Sequence, residues 1–252
     1  MSRPSPSCYC NRLRLALLSF VAGLLSFFLF AANLPAHGPG SVDNKAAPKT
    51  FKGRVIAPPM SYLGADWLER SNREVTQQPE KVLDALKIAP GSTVADIGAG
   101  TGYFSVRLAK RVGPQGRVLA TDIQPEMLAR LSVTMQKTGL HNIEPILCTP
   151  TDARLPPGQL DLALMVDVYH ELAYPEETMA QVRRALKPDG RLVLVEYRGE
   201  DPRVPIKPEH KMTLHQVHSE IEPMGFRLHQ VFEFLVHQRI VVFVKDERAG
   251  EP

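Results

Sequence analysis

The sequence predicts a doubly wound α/β fold, with a mostly parallel seven-stranded sheet ending in a C-terminal antiparallel hairpin. Three observations predict it. From residue 79 onward, short apolar runs alternate with helix-patterned segments, which implies a parallel sheet covered on both faces. The first apolar run opens into a glycine-rich turn, "DIGAGTG" (96–102), and then into a helical pattern. The chain closes with "FRLHQVFEFLVHQRIVVFVK" (226–245), two strands joined by a short turn, one of them antiparallel to the rest.

The elements follow in order. Arg3, Arg12 and Arg14 precede an uncharged apolar run from Leu15 to Ala32. Residues 1–36 therefore read as a signal peptide or an N-terminal membrane anchor, and the remainder is expected to be exported or tethered at the membrane. Residues 37–53, rich in Pro, Gly and Ala, read as a linker. Residues 54–74 hold the only Trp, Trp67, and suit a lid segment. The main domain is expected over 75–246, with a disordered tail at 247–252.

Within that domain, "PEKVLDALKI" is helical, with Val82 and Leu86 four apart. Strands are predicted at 93–97, 117–121, 143–148, 160–166 and 191–197. Helices are predicted at 102–112, on the Phe104, Leu108, Val112 stripe, at 125–137 and at 176–187. Pro125 and Pro175 suit first-turn positions, and Glu176 and Glu177 suit a helix N-terminus. "KPDG" (187–190) reads as a stop and a turn. A helix over 213–224 carries Leu214, Val217, Ile221 and Met224 on one face, and Thr213 with Gln216 resembles a capping box.

Gly98, Gly100 and Gly102 occupy alternate positions at the strand-to-helix turn. Glycine permits positive φ and lets another group approach the backbone closely. Such a turn, at the carboxyl end of a parallel strand, is where nucleotide-like ligands are cradled. Asp122 ends the second strand, 20 positions beyond Gly102, where an acidic side chain meets a ribose diol.

"DIGAGTG", "TDIQPEML", "LDLALMVDVYHEL" and "LKPDGRLVLVE", in that order, resemble the class I S-adenosylmethionine-dependent methyltransferases over roughly 75–245. The resemblance implies a Rossmann-like methyltransferase domain with S-adenosyl-L-methionine as cofactor. It implies that Asp96, Gly98, Gly100 and Gly102 hold the methionine part and the ribose edge. Asp122 would hold the ribose hydroxyls, with Ile123 against adenine. Asp152 resembles the residue at the adenine amino group, and Asp167 sits where the family faces the transferred methyl.

Methyl transfer from an activated sulfonium chiefly needs proximity and alignment, with a base where the nucleophile carries a proton. His170, after the fourth strand, is the candidate base, with Asp167 beside it. No metal site is expected: His170 and Glu171 are adjacent, and on a helix they would not share a face. Outside 1–36 the chain has 27 basic and 27 acidic residues, which argues against a nucleic-acid partner. Set against the family resemblance, "DVYH" in place of the Asn/Asp-Pro-Pro-aromatic motif of amide and nucleobase methylases, with only Cys148 in the domain, leaves a small-molecule acceptor. The three cysteines, Cys8, Cys10 and Cys148, suggest no disulfide framework. The basic side chains of 197–213 offer a site for an acidic substrate, and Tyr62 or Trp67 could meet the sulfonium. Two other readings stand beside this one: an NAD-type dinucleotide-binding oxidoreductase, and a non-catalytic S-adenosylmethionine-binding module.

Overall fold

The computed structural model describes residues 50–248. The expected signal or anchor at 1–36, the linker as far as residue 49 and tail residues 249–252 lie outside the described residues. Among the described residues, no helix is long and apolar enough to cross a membrane. The described end of the expected linker forms a strand pair. Thr50–Phe51 pairs antiparallel with Arg54–Val55, turning at Lys52 and Gly53, both at positive φ as a two-residue hairpin turn requires.

Seven strands form the main sheet: β1 (Thr93–Ile97), β2 (Arg117–Asp122), β3 (Ile143–Leu147), β4 (Leu160–Val166), β5 (Leu186–Arg198), β6 (Phe226–Phe232) and β7 (Gln238–Lys245). Their order is β3-β2-β1-β4-β5-β7-β6. Only β7 is antiparallel to its neighbours. A two-residue strand, Lys211–Met212, pairs beside the end of β5. Pro145 sits in β3, an edge strand, where a missing N–H is tolerated.

The helices are α1 (Arg73–Gln77), α2 (Pro79–Leu86), α3 (Tyr103–Val112), α4 (Pro125–Thr138), α5 (Pro175–Ala185) and α6 (Leu214–Ile221). One core layer packs Leu83, Leu108 and Leu131 of α2, α3 and α4 on Val193 and Val195 of β5. The other packs Met179, Val182, Val217 and Ile221 of α5 and α6 on Leu192 and Leu194. Alternation along β5 thus assigns its even positions to one face and its odd positions to the other. The fully buried leucines each contribute about 1.5–3 kcal/mol by leaving water.

Two details depart from the sequence reading. "KPDG" is a bulge inside β5 and not a turn before it: Leu186 pairs with Leu160, and pairing resumes at Arg191 with Leu162. Asp161, opposite the bulge, accepts hydrogen bonds from Lys187 Nζ (2.6 Å) and Thr93 N (2.8 Å), which anchors the extra residues. The last helix stops at Ile221 and tightens to a 3-10 turn over Glu222–Met224, because Pro223 cannot donate to the α pattern. The capping box of Thr213 and Gln216 is formed.

Candidate active site

The order of the sheet reverses between β1 and β4, and open α/β sheets bind ligands in the crevice at such a switch point. The turns after these two strands meet there. Gly98, Gly100 and Gly102 all have positive φ. A Cβ on Gly98 would fall 2.5 Å from Val168 of the β4 turn, and one on Gly100 would fall 2.9 Å from Leu68. A Cβ on Gly102 would collide with Leu131 of α4. The close approach that the glycines permit is therefore filled by the protein's own side chains.

Asp96 is buried at the end of β1 and accepts a 2.5 Å hydrogen bond from Ser105 Oγ. Burial pushes its carboxyl up to about 6, against the Ser105 bond and the nearby Arg73 cation. Asp122 accepts from Gly100 N (2.9 Å) through one oxygen and from Gln124 N (2.8 Å) through the other. Burial raises its pKa while those backbone donors restrain it. Ile123 beside it is 39% exposed, an apolar face open to a flat ring. Asp152 lies in an exposed turn after β3, accepting from Arg154 N at 2.9 Å.

Asp167 has φ 57°, unusual for a non-glycine and costing about 1–3 kcal/mol. The strained residue is held on three sides. Gln77 Nε2 donates to one oxygen (3.0 Å), Gln238 Nε2 donates to the other (2.7 Å), and its own N–H donates to Val195 O (2.9 Å). Burial, with Glu196 nearby, lifts its carboxyl to about 6.

The segment before α2 lies over this crevice. Residues Tyr62–Glu69 form a 3-10 helix. Gln124 receives Tyr62 N (2.8 Å) and donates to Met60 O (2.9 Å). Arg130 pairs with Asp66, Thr101 donates to Glu69, and Tyr103 donates to Glu74. Beneath the segment is a cavity of about 40 Å³, lined by Leu68, Arg73, Asp96, Gly98 and Thr101 among others. Arg73 is buried, stacked 4.0 Å above the Tyr103 ring. A second cavity, about 240 Å³, is lined by Trp67, Arg70, Gln77, Tyr197, Ile206 and Gln238 among others. Trp67 stacks with Arg70, 3.5 Å from the ring.

His170 lies close enough to Asp167 for the two to interact electrostatically. Its ring is buried, with Nδ1 2.6 Å from Glu196 Oε2 and Nε2 3.1 Å from His210 Nδ1. Glu196 and Tyr197 are successive on β5, so the histidine lies on the sheet face opposite the Tyr197 cavity. Burial lowers the His170 pKa, but the Glu196 carboxylate overrides it and leaves the net shift upward. Glu171 and His210 complete the cluster, and burial lifts Glu171 to about 7. The adjacency argument against a cluster at His170 and Glu171 does not hold. Tyr169–Glu171 is a single 3-10 turn, and the third group arrives from the 197–213 segment.

The basic residues of that segment are largely used within the protein. Arg198 donates to the carbonyls of Glu233, Leu235 and Gln238. Arg203 pairs with Asp201, and Lys211 donates to Val204 O. Sequence reasoning did not single out Arg73, Gln77, Glu196, Tyr197 or Gln238. The glutamines carry no pattern, whereas Glu196, a lone acid at the end of an apolar strand, was a readable signal.

Residues 94–190 match the family model described as a methyltransferase domain. A ubiquinone/menaquinone biosynthesis C-methyltransferase from Cupriavidus taiwanensis is 31% identical over 111 residues, 44% of this chain and 45% of that protein. An uncharacterized 37.1 kDa transposon protein from Streptomyces fradiae is 36% identical over 115 residues, 46% of this chain and 33% of that one. The chain thus spans less than half the length of these curated relatives. A crystal structure of a SAM-dependent methyltransferase from Aquifex aeolicus is 28% identical, with TM-score 0.71, covering 74% of this chain and all of that one.

Proposed function

Because the chain carries a class I S-adenosylmethionine-dependent methyltransferase domain, we propose that it methylates a small molecule held in the Trp67–Tyr197 cavity. The observation that carries this reading is the position of Asp167. It directly follows Val166, which lines the small cavity, and it is hydrogen-bonded by Gln77 and Gln238, which line the large one. A carboxylate at that junction stabilises a sulfonium on one side and leaves the other open to a nucleophile. The antiparallel β7 separates this sheet from the continued parallel sheet expected of a dinucleotide-binding oxidoreductase.

The residues fit the cofactor. Arg73 and Asp96 present opposite charges to one cavity, which suits the carboxylate and ammonium of an amino-acid head group. Asp122 presents carboxylate oxygens for the ribose hydroxyls, and Ile123 an apolar surface for adenine. When bound, S-adenosylmethionine supplies an activated methyl, and the protein's part is alignment and exclusion of water. His170 has both ring nitrogens engaged, by Glu196 and His210, and on our reading it is not the base. Alignment then carries the catalysis.

The acceptor pocket is built from residues 67–77, 197, 205–206 and 237–238, all outside the matched 94–190. The quinone-ring substrate class named for the Cupriavidus relative therefore does not transfer with the match. The aromatic walls and Arg70 suit a planar, partly anionic acceptor. We also place the domain beyond the membrane, on the basis of residues 1–36; a periplasmic reporter fused after residue 49 should be active, and an inactive one reverses this.

Labelled-methyl turnover on a metabolite extract tests the main proposal. Incorporation that Asp167→Ala abolishes, while the folded variant keeps measurable cofactor binding, supports it. Cofactor binding without incorporation into any metabolite favours the non-catalytic module. With a substrate in hand, His170→Ala should keep turnover within about tenfold. A drop of about 10²–10⁴-fold restores the base role.

A further inference from the structure

His170, Glu171 and His210 lie together away from the acceptor cavity, and the function above leaves them unexplained. We propose that they form a divalent transition-metal site of the zinc type, which pins the 197–213 segment to the turn after β4.

The geometry is that of a ligand set. The same three atoms make all the contacts: His170 Nε2, His210 Nδ1 and Glu171 Oε1. They are separated by 3.1, 3.5 and 3.8 Å. Four bonds of about 2.0–2.1 Å in a tetrahedral arrangement hold their donors about 3.4 Å apart, so one ion can reach all three with little movement. Two imidazoles and a carboxylate are a borderline-soft set, which selects zinc or a similar ion over magnesium or calcium.

The surroundings support the same reading. Metal-bound histidines commonly donate their other ring nitrogen to a carboxylate, which fixes the tautomer. Glu196 does this for His170: Oε2 stands 2.6 Å from Nδ1, leaving Nε2 for the ion. Glu196 is itself held, accepting from Tyr169 N at 3.0 Å. The turn is held as well, because the His170 carbonyl accepts from Arg54 Nη1 (3.0 Å) and Ala57 N (3.1 Å). One side is more open, since the His210 and Glu171 side chains are 24% and 18% exposed. That leaves an approach for the ion and a place for a water as fourth ligand.

His210 belongs to the segment that contributes Pro205 and Ile206 to the acceptor cavity. An ion joining His210 to His170 and Glu171 would fix one wall of that cavity from the far side of the sheet. The site itself does not depend on the methyltransferase reading.

Metal-free full-length protein, titrated with Co²⁺ and then Zn²⁺, tests the proposal. Stoichiometric binding is expected, with the intense visible band of tetrahedral Co²⁺, bleached by Zn²⁺. His210→Ala, at a partly exposed position, should fold and lose the band. His215→Ala should keep it. Glu196→Gln should retain the band but bind about 10–100-fold more weakly, as loss of an outer carboxylate does. No stoichiometric binding, or a band that survives in His210→Ala, overturns the site and leaves a buried His–His hydrogen bond. Cofactor binding by the same preparations is read separately, so failure of the metal site and failure of the methyltransferase reading remain distinguishable.

Discussion

Single carboxylates decide most of what this site does. Asp122 accepts from Gly100 N through one oxygen and from Gln124 N through the other, so the ribose proposed to bind there would use its remaining lone pairs. Asp122→Ala should weaken S-adenosylmethionine binding by about 1–3 kcal/mol, since the ribose hydroxyls and Gly100 N then lose their acceptor. Calorimetry on the folded variant measures this, and unchanged affinity removes the ribose assignment. Asp96 makes a different statement, about stability. Its folded pKa, near 6, lies above the unfolded value of 3.8, so the folded protein holds more protons between the two. Stability from this residue is therefore fully present below about pH 4 and falls as pH rises to about 6. Asp96→Asn should stabilise the cofactor-free protein by up to about 3 kcal/mol at pH 7 and by almost nothing at pH 4. Urea midpoints at the two pH values check the sign; an equal effect at both would mean the carboxyl is not perturbed. Asp96 and Asp122 were readable from position along the strands. The roles of Gln77, Gln238 and Arg73 were not, because nothing local says that a glutamine at 238 will reach an aspartate at 167.

At the scale of elements, strands and helices were legible because each buries a periodic apolar face. The exceptions have local causes. The "KPDG" bulge stays in the strand because Asp161 holds it from across the ladder. The Tyr169–Glu171 turn gathers a cluster because His210 returns to it from 40 residues on. The most consequential unforeseen contact is between Arg54 and Glu220. Arg54 forks onto both Glu220 oxygens at 2.9 Å, and both side chains are almost wholly buried. Tyr169 OH adds a third donor to Glu220 at 3.1 Å. This arrangement ties the Thr50–Val55 strand pair to α6 and to the turn carrying His170. Arg54→Met leaves a buried carboxylate without its cation, and should cost about 3–5 kcal/mol. The double variant Arg54→Met/Glu220→Leu should recover much of that loss. Recovery absent in the double variant would mean that the cost came from lost bonds to the His170 carbonyl.

The whole molecule divides into a matched core and flanking segments that close it. Residues 94–190 supply the glycine turn and the ends of β1, β2 and β4, and residues from 67 to 77 together with those after 197 line the cavities beside them. The core was legible in the sequence as an ordered set of motifs. The covering was not, because docking of an aperiodic segment depends on side chains scattered over α3, α4 and the β4 turn. The small cavity sets a kinetic consequence. It holds about 40 Å³, whereas pockets for drug-sized ligands run to about 300–1,000 Å³. If the methionine end of S-adenosylmethionine enters this cavity beside Asp96, the segment from Tyr62 to Gln77 is expected to swing out first, breaking its contacts to Gln124, Arg130, Thr101 and Asp167. Several of these contacts are exposed ion pairs or single hydrogen bonds, each worth about 1 kcal/mol or less, so opening is a local event well short of unfolding. In stopped-flow mixing, the observed rate of cofactor binding should rise with cofactor concentration and then level off at the opening rate. Such motions fall in the microsecond-to-millisecond range. Asp66→Ala and Glu69→Ala remove contacts to Arg130 and Thr101 without touching the crevice floor, so each should raise the plateau. A linear dependence with no plateau at any accessible concentration, in both parent and variants, would show that the segment does not gate entry.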